Sequence, residues 1–435
     1  MRTALKIFLS LFFCIVFAMR LPAQESLSMS QALENAMGNN YGIIISRAGA
    51  EISSINNDWG NAGRYPTIGF DASDNNSYDL GGSTYSNRFS AGIGLNWVLF
   101  NGFRVRFTKE QLEGQEALSQ GQLAVMVENT IEDVILSYYN VLLQREQLAV
   151  LEHVMKLSSD RYDYEKNRQQ LGSSVTYNVL QAQNVYLTDK ANVLNQEVVT
   201  RNAVRNLNFI MGIAPEQTWS FSEEFVADTT AYVLSDLLSR MKSSNQVLQN
   251  QYTSLMLREK DTDIRGTAYA PAISLGAGMD VLQSWSRTGS DPFNNNGSYS
   301  PYGNVRLSYD IYAAGTRRRS MEIARINEEI ARVEIDEMEH ALTNELFNLF
   351  DYYGVRVELL RVANENLAAA ELNMSISEEK YRSGVINSFN YRDVQLIYLT
   401  ASIRRLQAVY NLISSRTQLT RMTGGFLDMP DPSGE

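Results

Sequence analysis

The chain has 435 residues, 44% of them hydrophobic and 20% charged, with a formal net charge of −11. A mean hydropathy of −0.25 is too polar for a protein that crosses a bilayer repeatedly as apolar helices, and the acidic balance argues against nucleic acid as a partner. With one cysteine, Cys14, and two histidines, His153 and His340, no HExxH motif can be written and a serine triad would have to use one of the same two histidines. An enzyme is therefore disfavoured, and no catalytic residue, cofactor or metal site is expected.

Residues 1–23 read as a cleaved secretory signal: Arg2 and Lys6 precede an apolar run from Ile7 to Ala18, followed by Leu21-Pro22-Ala23-Gln24. Its removal takes away Arg2, Lys6 and Arg20 but no acid, which leaves −14, and it takes the only thiol. The expected mature chain is exported and has no disulfide.

The remainder reads as two related halves, 24–212 and 232–424, with a linker at 213–231 that carries Pro215 and a tail at 425–435. Gly172 to Asn178 lines up with Gly384 to Asn390 at a separation of 212, and the same offset pairs Gln183 with Gln395, Tyr186 with Tyr398 and Leu207 with Leu419. Upstream the offset drifts by one or two residues, pairing Tyr138-Tyr139 with Tyr352-Tyr353. Such self-similarity is the signature of an internal repeat. Each half predicts a helix, a β-hairpin, a very long helix, a glycine turn and another helix. The spans are 30–63, 65–100, 103–170 and 175–211 in the first half, and 232–265, 270–312, 316–382 and 386–422 in the second.

A helix of 68 residues is roughly 100 Å long at ~1.5 Å per residue, about the sum of the two shorter helices that flank it. Helices of this length imply a rod or tube of coiled coil rather than a globular core. In the last helix Leu396, Leu399, Ile403, Leu406, Tyr410 and Ile413 recur at heptad spacing. On the helices alone, a soluble coiled-coil stalk explains the pattern as well as a tube does; once the strands are taken into account, this alternative becomes a structural stalk or adhesin anchored in a membrane, without transport activity.

The strands separate these readings. Phe89, Ala91, Ile93, Leu95, Trp97 and Leu99 alternate with Ser90, Gly92, Gly94 and Asn96, and Val305, Leu307, Tyr309 and Ile311 alternate with Asn304, Arg306, Ser308 and Asp310. Strands of about ten residues, apolar on one face and polar or tiny on the other, suit a membrane β-barrel. Ile93, Leu95, Trp97, Leu307, Tyr309 and Ile311 are then the lipid-facing side. Asp74 to Gly82 and Ser290 to Gly297, polar and turn-rich, are expected as loops. Four strands cannot close a barrel alone and open edges are not tolerated in lipid, so several copies must contribute to one barrel.

At this point the residues resemble the TolC-type outer membrane efflux protein family over nearly the whole mature chain. The resemblance is carried by Leu27 to Asn40 at the opening, Tyr65-Pro66 and Ala270-Pro271 where the strands begin, and Phe100-Asn101-Gly102 and Tyr312 to Gly315 where they end. Gly172 with Asn178 to Gln183 completes it at the helical turn. It implies a mixed α/β membrane protein: a homotrimer whose chains give four strands each to a 12-stranded outer-membrane barrel, continued by a coiled-coil helical barrel through the periplasm. It implies the passive channel of a tripartite efflux or type I secretion system, docked through its helical tips onto a periplasmic adaptor and an inner-membrane pump. The tips would be Gly172, Ser173, Ser174, Val175 and Thr176 with Gly384, Val385, Ile386, Asn387 and Ser388. Where the family often carries acids near the periplasmic constriction, this chain has the amides Asn178 and Asn390, with Gln181 and Asp393 three residues further on. Asp393 is the candidate for an acidic ring there.

Overall fold

The computed structural model describes residues 26–81 and 83–426, so the signal reading, with Cys14, and all but the start of the expected tail lie outside the described residues. The chain divides into two compact units. One comprises Met1–Ile45, Val125–Asn245 and Ala341–Glu435; the other comprises Ser46–Ala124 and Gln246–His340.

In chain order, a short strand β1 (Ser26–Leu27) leads to α1 (Met29–Asn39) and α2 (Tyr41–Asn56), and then to β2 (Thr67–Asp79) and β3 (Thr84–Phe100). The 67-residue α3 (Arg104–Gln170) and α4 (Thr176–Ile210) follow, with β4 (Ser220–Phe221) beyond them. The same order recurs as α5 (Leu234–Ser244), α6 (Gln246–Gly266), β5 (Ala272–Thr288), β6 (Asn294–Ser308), α7 (Thr316–Arg382) and α8 (Ser388–Met422). No helix among the described residues is long and apolar enough to cross a membrane.

Three expectations are corrected. The single helices expected at 30–63 and 232–265 are each broken, at Asn40 and at Asn245, whose backbones are extended (ψ 125° and 116°). The asparagine side chain takes over a free carbonyl at each break: Asn40 Nδ2 donates to Ile210 O at 2.8 Å and Asn245 Nδ2 to Met422 O at 3.0 Å. Apolar periodicity runs straight through both positions, so periodicity alone does not reveal them. Second, the strands have 13, 17, 17 and 15 residues, and most of Asp74 to Gly82 is strand, not loop. Within it Ser77 pairs across the ladder with Ser86 at 2.7 Å, as Ser73 just before it does with Ser90 at 2.8 Å, the kind of cross-strand contact that stabilises a sheet. Third, β6 stops at Ser308, which leaves Tyr309 and Ile311 beyond the strand.

The main apolar core of the first unit gathers Leu27, Ala32, Ala36, Val134, Tyr138 and Leu207. The segment 213–231, expected as a linker, packs into it: Trp219, Phe221 and Phe225 lie against the cluster, and β4 pairs in parallel with β1. Trp219 Nε1 donates to Asn208 Oδ1 at 2.7 Å. Tyr138 is fully buried and donates its hydroxyl to Leu27 O at 2.8 Å, as Tyr353 does to Thr230 O at 2.6 Å. A buried phenol needs such a partner.

Candidate functional site: sheet faces and helical tips

In the second unit the sheet runs β2-β3-β5-β6, antiparallel throughout, with β2 and β6 each paired on one side only. Directly opposed residues of antiparallel strands share a face, so the register defines both faces. Trp97, Leu275 and Val305 form one row; Phe70, Ile93, Met279 and Pro301 form another; Leu95 stands opposite Ile68 and Ala277, and Leu307 opposite Ile273. This face is apolar across all four strands, and Ile93, Trp97, Val305 and Leu307 are exposed on it.

The other face carries the rows Thr67, Asn96, Gly276, Asn304 and Gly69, Gly94, Gly278, Tyr302. Its third row holds Asp71, Gly92, Asp280 and Ser300. Glycine matters here for space: a β-carbon on Gly92 would sit 2.5 Å from Asp280 Oδ1, and one on Gly278 would sit 2.4 Å from Ile93 O. The paired carboxylates flanking Gly92 escape a sequence reading, because Asp71 and Asp280 come together only through the register of β2, β3 and β5. Tyr309 and Ile311, placed by sequence on the apolar face, lie past the strand; the Tyr309 ring sits beneath the Arg317 guanidinium, 5.5 Å away.

The tips lie in the first unit, and both long helices end by one device. Gly172 N donates to Gln169 O at 2.9 Å and Ser173 N to Arg168 O at 2.8 Å; Gly384 N donates to Tyr381 O at 3.0 Å and Val385 N to Lys380 O at 2.8 Å. These are the reversed bonds of a Schellman motif. Both glycines hold φ near +75° (+73° and +77°) with no neighbour within 4 Å of a built β-carbon, so conformation alone demands glycine there. The helices that follow start differently. The Asn387 side chain caps α8 by accepting from Phe389 N and Asn390 N at 3.1 and 2.9 Å, whereas Val175 at the start of α4 offers no side-chain cap.

Behind the turns lies a buried polar cluster that the sequence reading did not single out. The Glu165 carboxylate, on α3, accepts from Ser174 Oγ at 2.6 Å and from the Tyr381 hydroxyl of α7 at 2.8 Å. Tyr381 stacks on Tyr391 of α8 with centroids 4.7 Å apart, and burial, reinforced by the Glu165 carboxylate, holds its phenol well above the ordinary tyrosine range. Arg392 of α8 makes a bidentate pair with the buried Asp189 of α4, both bonds 2.8 Å. Arg161 is buried beside them, reaching Ser388 O at 3.4 Å; burial lowers its pKa. Comparing the halves hides these residues, since at offset 212 Glu165 meets Ser377, Tyr381 meets Gln169 and Arg392 meets Leu180. The remaining signal was Arg161 and Glu165 four apart on one helix face.

The expected constriction residues are spread along this region. Asn178 is half-buried and donates to Ser174 Oγ at 3.3 Å. Gln181 is half-buried, and Asn390 and Asp393 are exposed. No hydrogen bond joins these four to one another among the described residues. Arg392 is turned to Asp189, which leaves the neighbouring Asp393 carboxylate uncompensated by it. Of the expected tip residues, Val175 and Val385 are exposed apolar side chains.

Against known proteins, the family model for outer membrane efflux proteins matches twice, at residues 45–213 and 237–425. The cation efflux system protein CusC of Escherichia coli K12 is 22% identical over 349 residues, covering 77% of this chain and 72% of that protein. The outer membrane efflux protein BepC of Brucella suis biovar 1 is 22% identical over 414 residues, covering 93% and 87%. The crystal structure of the Campylobacter jejuni CmeC outer membrane channel shares the fold with a TM-score of 0.74 at 15% identity, covering 91% of this chain and 85% of that one. These relatives are efflux proteins and channels, not enzymes. With the model matching both halves, the chain belongs to the outer membrane efflux protein family, and its place is the outer membrane, with helices reaching into the periplasm.

Proposed function

We propose that three copies of this chain close head-to-tail into one duct, a passive export channel of a tripartite efflux or type I secretion system. The observation that carries this reading is the open sheet. β2 and β6 each leave an edge unpaired within the chain, and unpaired backbone groups in hydrocarbon cost several kcal/mol apiece by order of magnitude. Pairing β2 of one copy with β6 of the next satisfies every edge, and four strands from each of three chains make a 12-stranded barrel. Such a heterologous contact closes when the rotation between copies closes. The apolar face then meets lipid and the Gly, Asn and Asp face lines the lumen.

The helices support the same assembly. α4 exposes Leu180, Leu187 and Leu194, seven apart, and α7 exposes Val355, Leu359 and Val362; apolar stripes at this spacing ask for a neighbouring helix. The recurring element order and the double family match support descent of the two halves from one internal repeat. In this duct the chain supplies a water-filled path, while an inner-membrane pump and a periplasmic adaptor supply the drive. The exposed tips around Gly172 and Gly384 are the surface for that adaptor. Conductance of the purified protein in a planar bilayer, with its mass corrected for bound detergent, tests the reading. A trimer that conducts is expected; a stable folded monomer, or a trimer that never conducts, refutes the duct and leaves a stalk.

A further inference from the structure

Where β3 passes into α3, in the second unit, a groove of about 370 Å³ is lined by Trp59, Arg64, Trp97, Leu99, Phe103 and Arg106 among others. We propose that this groove binds the phosphate-bearing headgroup of an anionic membrane phospholipid. The inference rests on the proposed strand faces, since Trp97 belongs to the side assigned to lipid. The groove thus opens where the apolar face gives way to helix, the depth at which Trp and Tyr gather in membrane proteins.

Its basic component is held in place and left uncompensated. Arg64 N donates to Trp59 O at 2.9 Å, Trp97 Nε1 donates to Arg64 O at 2.9 Å, and the Arg64 guanidinium lies 4.7 Å over the Trp59 ring. That guanidinium is exposed and meets no carboxylate among the described residues. Arg106 does meet one, Glu110 at 2.9 Å, but Glu110 also accepts from Lys260 at 2.8 Å. Lys260 in turn reaches Asp263 at 3.5 Å, so these two cations and two carboxylates balance, and the positive excess of the groove is the Arg64 guanidinium. Arginine is suited to phosphate by its planar fork of donors.

The apolar component carries strain. Phe103 holds φ +68°, rare for a bulky residue; the residue is 64% exposed and its ring is edge-on to Phe100 at 5.5 Å. A strained, exposed aromatic is costly in water and useful against acyl chains. The junction of β6 with α7 offers a contrast, since Arg317 there already pairs with Asp310 at 3.7 Å and covers Tyr309.

The test is native mass spectrometry of the delipidated full chain in detergent, titrated with phosphatidylglycerol and separately with phosphatidylcholine. Phosphatidylglycerol should be retained in preference, and Arg64→Gln should weaken that retention about fivefold, the weight of one arginine near an anionic surface. Phe103→Gly should weaken retention of both lipids while relieving the backbone. Inorganic phosphate, which lacks acyl chains, should not displace phosphatidylglycerol. Should Arg64→Gln fail to assemble, Arg106→Gln carries the same expectation. Equal retention of the two lipids, unchanged retention in these variants, or displacement by inorganic phosphate overturns the site; so does the absence of adducts, as when a second copy covers the groove. Bilayer conductance of the same preparation separates the outcomes: a conducting protein without lipid preference sinks the headgroup site alone, and a non-conducting one sinks the duct.

Discussion

Glu128 on α3 is 4% exposed, and its Oε1 has no hydrogen-bond partner among the described residues. Burial raises its carboxyl from the ordinary 4.5 to about 7, against a smaller opposing pull from Arg421 of α8. Around that arginine stand Glu132, with which it forms an ion pair, and Asp133, both also raised by burial, while Glu345 of α7 adds repulsion at Glu132. Between pH 4.5 and 7 the folded chain keeps a proton that the unfolded chain has released, so stability falls as pH rises through that window. The cost is absent below the unfolded value and complete above the folded one. At ~1.4 kcal/mol per pH unit, and discounted for solvent screening, it amounts to roughly 2 to 3 kcal/mol. Glu128→Gln removes the charge at nearly constant shape and should raise Tm by roughly 2 to 6 °C at pH 8. At pH 5 the two proteins should nearly coincide. The assay is intrinsic-fluorescence thermal unfolding of both proteins at the two pH values; the other carboxylates are common to both and cancel in the difference. Equal Tm at pH 8, or a gap as large at pH 5, would refute the argument that an unpaired buried carboxyl governs this window.

On the sheet, Leu95→Arg should hinder trimer assembly by ~2 to 4 kcal/mol if it falls near mid-bilayer, whereas Asn96→Arg should assemble and alter conductance; equal tolerance in a heat-resistance assay on gels would mean that the faces are misassigned. At the tips, Val175→Glu and Val385→Glu should abolish export in cells and leave the trimer intact, and loss of the trimer instead would make these residues packing rather than docking. Asp393→Asn should lower cation preference if three copies form an acidic ring. Carboxylates ~6 Å apart repel by roughly 0.7 kcal/mol per pair in water-like surroundings, an effect that salt should erase; single-channel selectivity unchanged at low salt would make Asp393 a plain surface charge.

Long-range architecture was legible because it is written in periodicities. The 67-residue helices and both hairpins follow from apolar spacing and from alternation, which survive single substitutions. What escaped depends on one side chain meeting a distant carbonyl or carboxylate. Asn40 and Asn245 break helices whose apolar pattern continues unaltered, because each amide bonds a helix end 170 or 177 residues away. Glu165 and Tyr381, 216 apart, are ordinary residues in their own helices and form a pair only after four helices pack. The polar run from Asp74 to Gly82 misled in the opposite direction: Asn and Ser are turn formers in isolation, yet ladder partners extend the strand through them.

The features that recur in both halves act on the backbone, as left-handed glycines at helix ends and as bonds to main-chain carbonyls from Asn40 and Asn245 and from Tyr138 and Tyr353, whereas the network of side chains bonded to one another behind the tips differs. In the proposed ring of three chains the two halves would stand in similar but inequivalent places, so helix ends would need the same geometry while the contacts behind them are free to diverge. Beyond α4 and α8 the recurring device is a glycine in the left-handed region, Gly212 at φ +68° and Gly424 at φ +69°. A β-carbon would lie 2.2 Å from Asn39 O in the first and 2.5 Å from Ser244 O in the second. Alanine at either position meets two costs, ~1 to 2 kcal/mol for the left-handed backbone and a clash with a carbonyl that the neighbouring asparagine helps to hold. Gly212→Ala and Gly424→Ala should therefore lower Tm to a similar extent and more than Gly172→Ala or Gly384→Ala, where the space is open and only the backbone cost applies. Tyr381→Phe, which leaves the buried Glu165 one donor short, should cost ~1 to 3 kcal/mol; Gln169→Ala, at the matching place in the other half, should cost far less. Thermal unfolding of the six variants orders these effects. If Gly212→Ala is tolerated where Gly424→Ala is not, the two clamps are not equivalent, and the separation of shared helix-end geometry from the divergent network behind the tips fails.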